Sequence, residues 1–351
     1  MQRRNLGKSN LKVSQAGLGT MIFGTQISEL ESKTLISYAV DNGINFLDTA
    51  EIYSIPTTAE TYGLSESIIG KWLQDNRQHR NDFIIATKAM GPSRGNDYVR
   101  KNKNVTAQDI IDSCEKSLTR LKTDYIDLFQ LHWPERSVPF PGDLYFNPAP
   151  KEIETPIYEQ LEAFTKLVQQ GKILYAGLCN ETPYGVSEFV KLAEQHNFTR
   201  IASVQNGYSL LNRAVENGLD ELLYKLSVGF IGWSPLAFGL LTGKYDTVGV
   251  DNVESARLSK YNYKEKNTRW TTPFALTAAK KYNQLATSCG MTPTELALRY
   301  CYGKWFVDCT ILGASTVGQL TENLSYFGKP LPADVLTKID NLRLAYRDPV
   351  S

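Results

Sequence analysis

Eight short apolar runs alternate with stretches of helical periodicity along this chain, and that alternation limits the possible folds most strongly. The apolar runs end, in order, at Leu18, Asp48, Lys88, His132, Leu178, Gln205, Trp233 and Gly313. The helical patterns cover Glu29–Asn42, Leu64–Asp75, Thr106–Leu121, Pro156–Gln170, Thr182–His196, Asn217–Lys225, Pro273–Gly290 and Thr316–Phe327. Nearly continuous apolar strands between helices are typical of a parallel sheet covered on both faces. Eight such units favour a closed barrel, so the sequence predicts an α/β fold, a (β/α)8 TIM barrel, with residues 1–351 as a single domain.

Further elements are predicted outside the eight repeating units. A turn at 7–10 separates two short polar–apolar pieces, which predicts an amino-terminal β-hairpin that closes the barrel floor. A capping box at Thr106 marks one helix start, and a Thr-Pro pair at Thr292 marks another. The second of these begins an extra helix that runs to Tyr302, and a last helix is expected over Ala333–Tyr346.

The charge and cysteine content exclude several classes of function. The chain has 38 Lys and Arg against 37 Asp and Glu, so no broad basic field for nucleic acid or an anionic membrane is expected. No apolar run approaches the roughly 18 residues of a membrane span, and the amino terminus lacks the apolar core of a signal peptide. The five cysteines contain no C-x-x-C and the three histidines lie far apart, so we predict reduced thiols and no metal site. We expect a cytoplasmic protein whose partner is a small molecule, with no prediction of its oligomeric state.

Polar side chains stand where four of the apolar runs stop. Asp48 ends the second run and Lys88 the third. His132 ends the fourth run and Gln205 the sixth. Because side chains alternate along a strand, the last inward position of each run faces the mouth of the barrel. Burying these groups costs desolvation free energy unless they pair, and Asp48 with Lys88 is the obvious pair.

Tyr53 follows Asp48 by five residues, on the loop that leaves the same strand end. A tyrosine hydroxyl has an ordinary pKa of about 10, and a neighbouring ammonium group favours its ionised form. Such a hydroxyl suits a general acid that donates a proton to a carbonyl oxygen as hydride arrives, with His132 orienting the same oxygen. Each residue alone also has a structural interpretation, as a turn residue, a salt-bridge partner or a buried histidine. Their occurrence at the ends of consecutive strands favours a catalytic role.

These residues resemble, in type, order and spacing, the catalytic tetrad of the aldo-keto reductase superfamily, which implies that the catalytic residues are Asp48, Tyr53, Lys88 and His132. The local strings that support the resemblance are GLGTM at 17–21, FLDTAEIY at 46–53, IIATK at 84–88, QLHW at 130–133, WSPLAFGLLTGKY at 233–245 and ILGAS at 311–315. The resemblance covers nearly the whole chain and is closest to the bacterial Tas-like group, kin of the potassium-channel beta subunits. It implies an NADP(H)-dependent oxidoreductase that reduces an aldehyde or ketone to an alcohol by hydride transfer, with Tyr53 as general acid.

A nucleotide cofactor is implied by the resemblance and not by a Rossmann motif, since no G-x-G-x-x-G follows a strand. The resemblance implies that the cofactor carboxamide contacts Asn180 and Gln205 and that its nicotinamide ring stacks on Trp233. It implies further cofactor contacts near the first two strand ends, at Gly19, Thr20, Met21 and Asp48. Pyrophosphate contacts are implied in the loop after the seventh strand, at Ser234, Pro235, Leu236, Gly239, Leu241 and Lys244. Adenosine contacts are implied after the eighth strand, where a helix start is electropositive, at Gly313, Ser315, Gln319, Glu322 and Asn323.

The sequence departs from the family pattern at two places. Cys179 occupies the position before the carboxamide-binding Asn where the family usually has Ser, and a thiol is a weaker hydrogen-bond donor. Many relatives also carry Arg or Lys soon after the eighth strand to bind a 2′-phosphate, whereas Ala314–Gln319 has neither. Arg257, in the long loop after the seventh strand, is the predicted replacement.

Four long loops follow strand ends, where barrel enzymes build their sites, and we expect them to contact substrate or cofactor. These loops are Ser54–Tyr62, Pro92–Val105, Pro134–Thr155 and Lys244–Thr272. The substrate pocket is predicted around Ile22, Tyr53, Trp133, the Pro134–Thr155 loop and the carboxyl terminus.

Two alternative functions are consistent with parts of this pattern. Lys88 could be a Schiff-base nucleophile as in barrel aldolases, although a neighbouring Asp48 would hold it charged and unreactive. The family resemblance also includes NADP(H)-binding regulatory subunits of channel-type partners with little turnover, although an intact tetrad favours an enzyme.

Overall fold

The computed structural model describes residues 1–101, 104–139, 145–148, 154–250, 256–260 and 268–350, except for the side chains of residues 257, 260 and 268. Its strands are β1 (Arg3–Asn5), β2 (Lys12–Ser14), β3 (Ala16–Gly19), β4 (Phe46–Asp48), β5 (Ile84–Ala89), β6 (Ile126–Leu131), β7 (Ile173–Cys179), β8 (Ile201–Gly207), β9 (Gly229–Trp233) and β10 (Cys309–Leu312). Strands β3 to β10 form a closed parallel barrel in chain order, and β10 pairs with β3 to close the ring. Each predicted apolar run ends within two residues of the end of one barrel strand. The predicted (β/α)8 barrel is confirmed.

Helices cover the outside of the barrel. Within the described residues they are α1 (Glu29–Asp41), α2 (Leu64–Asp75), α3 (Ala107–Leu121), α4 (Ile157–Gln169), α5 (Pro183–His196), α6 (Leu219–Leu226), α7 (Arg257–Lys260), α8 (Pro273–Ser288), α9 (Pro293–Tyr302), α10 (Val317–Ser325) and α11 (Ala333–Ala345). Short 3-10 turns lie at Arg77–Asp82, Ala214–Glu216, Ala237–Thr242 and Thr268–Trp270. None of the helices described in the structure is both long and apolar enough to cross a membrane.

The extra helix before the last strand and the last helix are both confirmed, as α9 and α11. The short helix α7 and the 3-10 turns were not predicted, because helical periodicity needs a longer window to be visible. The pattern over 217–225 predicts one helix, but α6 begins only at Leu219. Gly218, at φ +109°, separates α6 from the 3-10 turn before it. A glycine at positive φ interrupts regular helix geometry at little steric cost.

The two predicted cap signals are confirmed. The Thr106 side chain accepts a hydrogen bond from the backbone N–H of Asp109, and the Asp109 carboxylate accepts one from the Thr106 N–H, which completes a capping box. The Thr292 hydroxyl accepts a hydrogen bond from the N–H of Glu295 at 3.0 Å. Each cap of this kind stabilises its helix by about 0.5–2 kcal/mol.

The barrel strands are buried on both faces because side chains fill the interior and helices cover the outside. In β6, Leu128 packs inside the barrel with Phe46 of β4. The next residue, Phe129, packs outward against Phe164 of α4, with ring centroids 6.0 Å apart. Adjacent residues therefore enter two different apolar clusters, which explains why the strand sequences are apolar at nearly every position.

The predicted hairpin of β1 and β2 closes the lower end of the barrel. Leu6, Leu11 and Val13 are buried and belong to the same apolar cluster as the interior strand residues. Gly7 turns the chain at φ +55°, and a Cβ at this position would lie 2.6 Å from the backbone nitrogen of Gly229. Both the conformation and the close approach require glycine, so the tight turn holds the hairpin against the barrel floor.

Candidate active site

The polar residues at the strand ends meet at the barrel mouth, as the alternation of side chains predicts. Lys88 Nζ donates hydrogen bonds to both carboxylate oxygens of Asp48, each at 2.8 Å, and to the carbonyl of Thr49 at 2.7 Å. Gln205 Nε2 donates to Asp48 Oδ1 at 2.7 Å from the opposite side of the barrel. The predicted pairing of Asp48 with Lys88 is therefore present, and Gln205 joins it.

The ion pair of Asp48 and Lys88 is almost completely removed from solvent, with side-chain exposures of 5% and 0%. Burial is the largest single influence and disfavours the charged ammonium group, but the charge and hydrogen bonds of Asp48, together with neighbouring Tyr53 and Cys179, outweigh it and raise the pKa of Lys88 above its ordinary value. Lys88 is therefore positively charged at neutral pH. A charged amine has no lone pair for attack on a carbonyl carbon, which argues against the Schiff-base alternative.

Tyr53 and His132 lie next to this ammonium group. Lys88 Nζ is 5.3 Å from the centroid of the Tyr53 ring. The rings of Tyr53 and His132 meet edge to face, with centroids 5.6 Å apart and an interplanar angle of 79°. The structure thus places a phenol, an ammonium group and an imidazole around one small volume at the barrel mouth.

The imidazole of His132 is neutral in this environment. Burial, together with the positive charge of Lys88, lowers the pKa of His132 well below its ordinary value. Its Nδ1 atom is buried and has no hydrogen-bond partner within the described part of the chain. A neutral imidazole carries one N–H donor and one acceptor, so His132 can donate a hydrogen bond to a ligand oxygen without adding charge.

Three hydrogen-bonded hydroxyl groups connect the backbone of Asp48 to helix α2. The backbone N–H and the hydroxyl of Thr20 both donate to the Asp48 carbonyl, at 3.0 and 2.9 Å. The Ser65 hydroxyl lies 2.8 Å from that of Thr20 and 3.1 Å from that of Thr49. Thr20, which the resemblance places among the cofactor contacts, thus has its hydroxyl bonded to the Asp48 backbone. Ser65 is not identifiable from the sequence, because its position on α2 gives no signal of contact with two strand ends.

The amide groups predicted to bind a carboxamide lie beside the same pair. Asn180 adopts φ +55°, and its Nδ2 atom donates to the carbonyl oxygen of His132 at 2.9 Å. Cys179 Sγ lies 3.4 Å from Asn180 Nδ2 and 3.8 Å from Gln205 Oε1. Burial raises the pKa of Cys179 to about 12, so the group stays a neutral thiol. The cysteine therefore contacts both amides, although the longer contact is a weak hydrogen bond.

The loop after β9 has an unusual backbone. Ser234, Ala237 and Phe238 have positive φ values of 57°, 47° and 56°, and Gly239 has φ +93°. Positive φ is uncommon outside glycine and clusters at ligand-binding sites. Trp233, which precedes this turn, has its Nε1 atom buried with no hydrogen-bond partner in the regions that the structure describes. The remaining residues predicted to bind pyrophosphate lie along this loop, with Leu241 buried, Leu236 and Pro235 at least partly buried and Lys244 more exposed.

The residues predicted to contact adenosine lie around the start of α10. The N–H and hydroxyl of Ser315 both donate to Gln319 Oε1, at 2.9 and 3.1 Å. Glu322 accepts a hydrogen bond from Tyr326, whereas Asn323 is buried. Arg257, predicted to bind a 2′-phosphate, begins α7, but its side chain lies outside the described residues.

The predicted substrate loops are only partly described. In the loop after β6, residues 140–144 and 149–153 lie outside the described residues. The first part of that loop is fixed by Arg136, whose Nη1 atom donates to Glu181 Oε2 at 2.9 Å. Trp133 is buried and donates to the carbonyl of Pro92 at 3.1 Å, so it joins this loop to the preceding one.

Arg269, in the loop after β9, also lies near this region and was not singled out from the sequence. Its guanidinium carbon is 5.7 Å from the ring centroid of Trp233. The only sequence signal is its position next to Trp270 in a long loop that follows a strand end.

Comparison with known proteins identifies a family for this chain. The model of the aldo/keto reductase family matches residues 16–344, a range that includes every barrel strand and the four residues predicted to form a catalytic tetrad. The chain is 37% identical to the Protein tas of Escherichia coli (strain K12), over 99% of this chain and 99% of that protein. The Protein tas of Shigella flexneri matches with the same identity and coverage. The chain therefore belongs to the aldo/keto reductase family, whose members are oxidoreductases.

Proposed function

We propose that this protein is an NADP(H)-dependent oxidoreductase that reduces an aldehyde or ketone to an alcohol. The observation that carries the proposal is the buried ion pair of Asp48 and Lys88 beside Tyr53 and a neutral His132. We further propose that residues 1–351 form one domain and that the substrate is a small carbonyl compound with an apolar body.

The residues at the mouth fit a nicotinamide dinucleotide. Orphaned buried polar atoms at His132 Nδ1 and Trp233 Nε1, within the described residues, leave hydrogen-bonding capacity at the site. Asn180 and Gln205 supply amide groups for the carboxamide, and Trp233 supplies an aromatic face for the nicotinamide ring. The positive-φ turn from Ser234 to Gly239 would hold the pyrophosphate through its backbone. When bound, the cofactor supplies hydride to the carbonyl carbon.

The side chains supply the proton that balances this hydride. Tyr53 donates its phenolic proton to the carbonyl oxygen, which becomes the alcohol hydroxyl. The charge of Lys88 favours the phenolate that remains, and Asp48 keeps Lys88 charged. A positioned general acid of this kind typically contributes a factor of about 10²–10⁴ in rate.

His132 has a separate role in this proposal. Because its imidazole is neutral, it can donate a hydrogen bond to the carbonyl oxygen and orient it toward Tyr53. A charged imidazolium at the same place would repel Lys88.

The test is an NADPH-oxidation screen over aldehydes, ketones and quinones, with the Tyr53→Phe variant measured beside the wild type. We expect turnover by the wild type and a loss of roughly 10²–10⁴-fold in kcat in the variant, because only the phenolic hydroxyl that would donate the proton is removed. Calorimetric titration with NADPH checks that the variant still binds cofactor. Unchanged turnover in Tyr53→Phe would contradict the assignment of the general acid.

A further inference from the structure

Arg269 is a partly buried cation that no acceptor or carboxylate among the described residues neutralises. It lies in the 3-10 turn Thr268–Trp270, which precedes α8. Its Nε and Nη1 atoms are buried and have no hydrogen-bond partner among the described residues, and no described carboxylate forms an ion pair with it. Burying a cation without a hydrogen-bonding partner is costly, and groups of this kind usually have a ligand or a functional role.

The guanidinium group is held by aromatic rings instead of by acceptors. Its carbon lies 4.7 Å from the centroid of the Trp270 ring and 5.7 Å from that of Trp233. Trp270 is itself stacked on Phe238, with centroids 4.6 Å apart. Aromatic faces stabilise the plane of a guanidinium group, but they accept none of its in-plane N–H bonds. The donors of Arg269 are therefore available in a fixed orientation.

The charge is retained in spite of burial. Burial lowers the pKa of Arg269 to about 10, so the group stays protonated at neutral pH. A protonated, preorganised guanidinium fork with free donors is suited to bidentate binding of a phosphate or carboxylate.

We propose that Arg269 binds the pyrophosphate of the dinucleotide cofactor, an inference that rests on the proposed function. Its neighbours favour this part of the cofactor. Trp233 is the ring proposed to stack on the nicotinamide, and Phe238 belongs to the positive-φ turn proposed to hold the pyrophosphate. The adenosine end of the cofactor, with its 2′-phosphate, would be held by other residues, the ones predicted around Ser315 and the start of α10.

The experiment is calorimetric titration of NADPH and NADH into the full-length wild type and the variants Arg269→Met and Arg269→Lys. Methionine keeps much of the apolar contact with the two tryptophans but removes the charge and the donors. Because a charge-assisted hydrogen bond is lost, we expect Arg269→Met to weaken both dinucleotides by a similar factor of roughly 10–100. Arg269→Lys should lie between the wild type and Arg269→Met, since it keeps the charge and loses the fork. Arg347→Met is the matched control, because Arg347 is 71% exposed, and its affinities should equal those of the wild type.

A second measurement separates a binding role from a structural one. Without cofactor, the melting temperature of Arg269→Met should be no lower than that of the wild type, because the substitution removes an uncompensated buried charge. With saturating NADPH, the wild type should gain more in melting temperature than the variant. A marked loss of stability in the cofactor-free variant would show a structural role and overturn the proposal.

The remaining outcomes are distinguishable. Wild type that binds neither dinucleotide overturns the proposed function and this inference together. Unchanged affinity of Arg269→Met for both dinucleotides overturns only this inference. A loss confined to NADPH also overturns it and assigns Arg269 to the 2′-phosphate. A raised KM for carboxylate-bearing substrates with unchanged cofactor affinity overturns it in favour of a substrate anion.

Discussion

Lys88, which is fully buried, and Arg269, which is partly buried, are two cations near one barrel mouth, and their surroundings differ sharply. Lys88 lies on β5 and contacts three acceptor oxygens, two of them from a carboxylate. Arg269 lies in a loop between aromatic rings, and two of its nitrogens have no acceptor within the described residues. The charge of Lys88 is thus compensated within the protein, which is consistent with the role proposed for it beside Tyr53. The charge of Arg269 is compensated only when an anion arrives, which is a property of a binding residue.

The largest expected difference between the two cations is in stability. Lys88→Met leaves the buried Asp48 carboxylate without its counter-ion, so we expect the free energy of unfolding to fall by about 3–5 kcal/mol. The same substitution at Arg269 should cost nothing in the absence of ligand. Urea denaturation of the two variants measures this difference.

The double variant Asp48→Asn/Lys88→Met is the control for this prediction. It removes both charges, so it should recover most of the stability that Lys88→Met loses. Equal stability of Lys88→Met and Arg269→Met would break the distinction between a compensated and an uncompensated cation.

The free energy of unfolding should depend on pH through His132, whose pKa responds to burial and to the charge of Lys88. The pKa of His132 is lowered in the folded state by burial and by Lys88, whereas in the unfolded chain it is about 6.5. The unfolded state therefore binds a proton first as the pH falls, and the contribution of His132 to stability, fully present above about pH 6.5, is lost below it. Uptake of one such proton changes the free energy of unfolding by at most about 1.4 kcal/mol per pH unit.

Thermal or urea unfolding of the wild type and His132→Asn between pH 7 and pH 5 checks this expectation, with those values chosen to bracket a pKa of about 6.5. His132→Asn should show a shallower loss of stability on acidification than the wild type. His196→Asn is the matched control, because His196 is exposed on the surface. Parallel curves for the wild type and His132→Asn would argue that Lys88 and burial do not keep His132 neutral.

The smallest expected effect is at Cys179, which contacts Gln205 beside the ion pair of Asp48 and Lys88. Cys179→Ser replaces a thiol 3.8 Å from Gln205 Oε1 with a stronger donor. A better-oriented Gln205 should tighten NADPH binding by roughly 2–10-fold, the value of about one neutral hydrogen bond. Calorimetric titration measures this change in NADPH affinity. Cys289→Ser is the control, because Cys289 is only partly buried and is the C-cap residue of α8. Weaker binding in Cys179→Ser would show that the thiol is better suited to this site.

Much of the fold could be predicted because its signals are local. Apolar runs buried on both faces indicate parallel strands, and the caps at Thr106 and Thr292 depend on residues within one helical turn. The polar strand ends were predictable for a related reason, since parallel strands of a barrel end at one face and bring Asp48, Lys88 and Gln205 together.

The parts that could not be predicted depend on contacts between distant segments. The hydroxyl chain of Thr20, Thr49 and Ser65 joins two strand ends to α2, and no spacing in the sequence indicates it. The environment of Arg269 depends on its contact with Trp233, a residue 36 positions earlier in the chain, and no periodicity in the sequence indicates that contact. In the sequence, Arg269 is one of 38 basic residues, and only the missing acceptors in the described structure distinguish it.

The hairpin at the barrel floor has a consequence for the charged groups at the other end of the barrel. With Leu6, Leu11 and Val13 packed into the lower interior, the medium beneath Asp48 and Lys88 is of low polarity, and water approaches them from the mouth. A ligand that fills the mouth would therefore replace the main polarizable medium near these charges. Coulombic interactions strengthen as the effective dielectric constant falls. The electrostatic effect of Lys88 on the pKa of Tyr53 should then be greatest when a ligand fills the mouth. The ligand would complete the low-dielectric surroundings that the barrel interior provides from below.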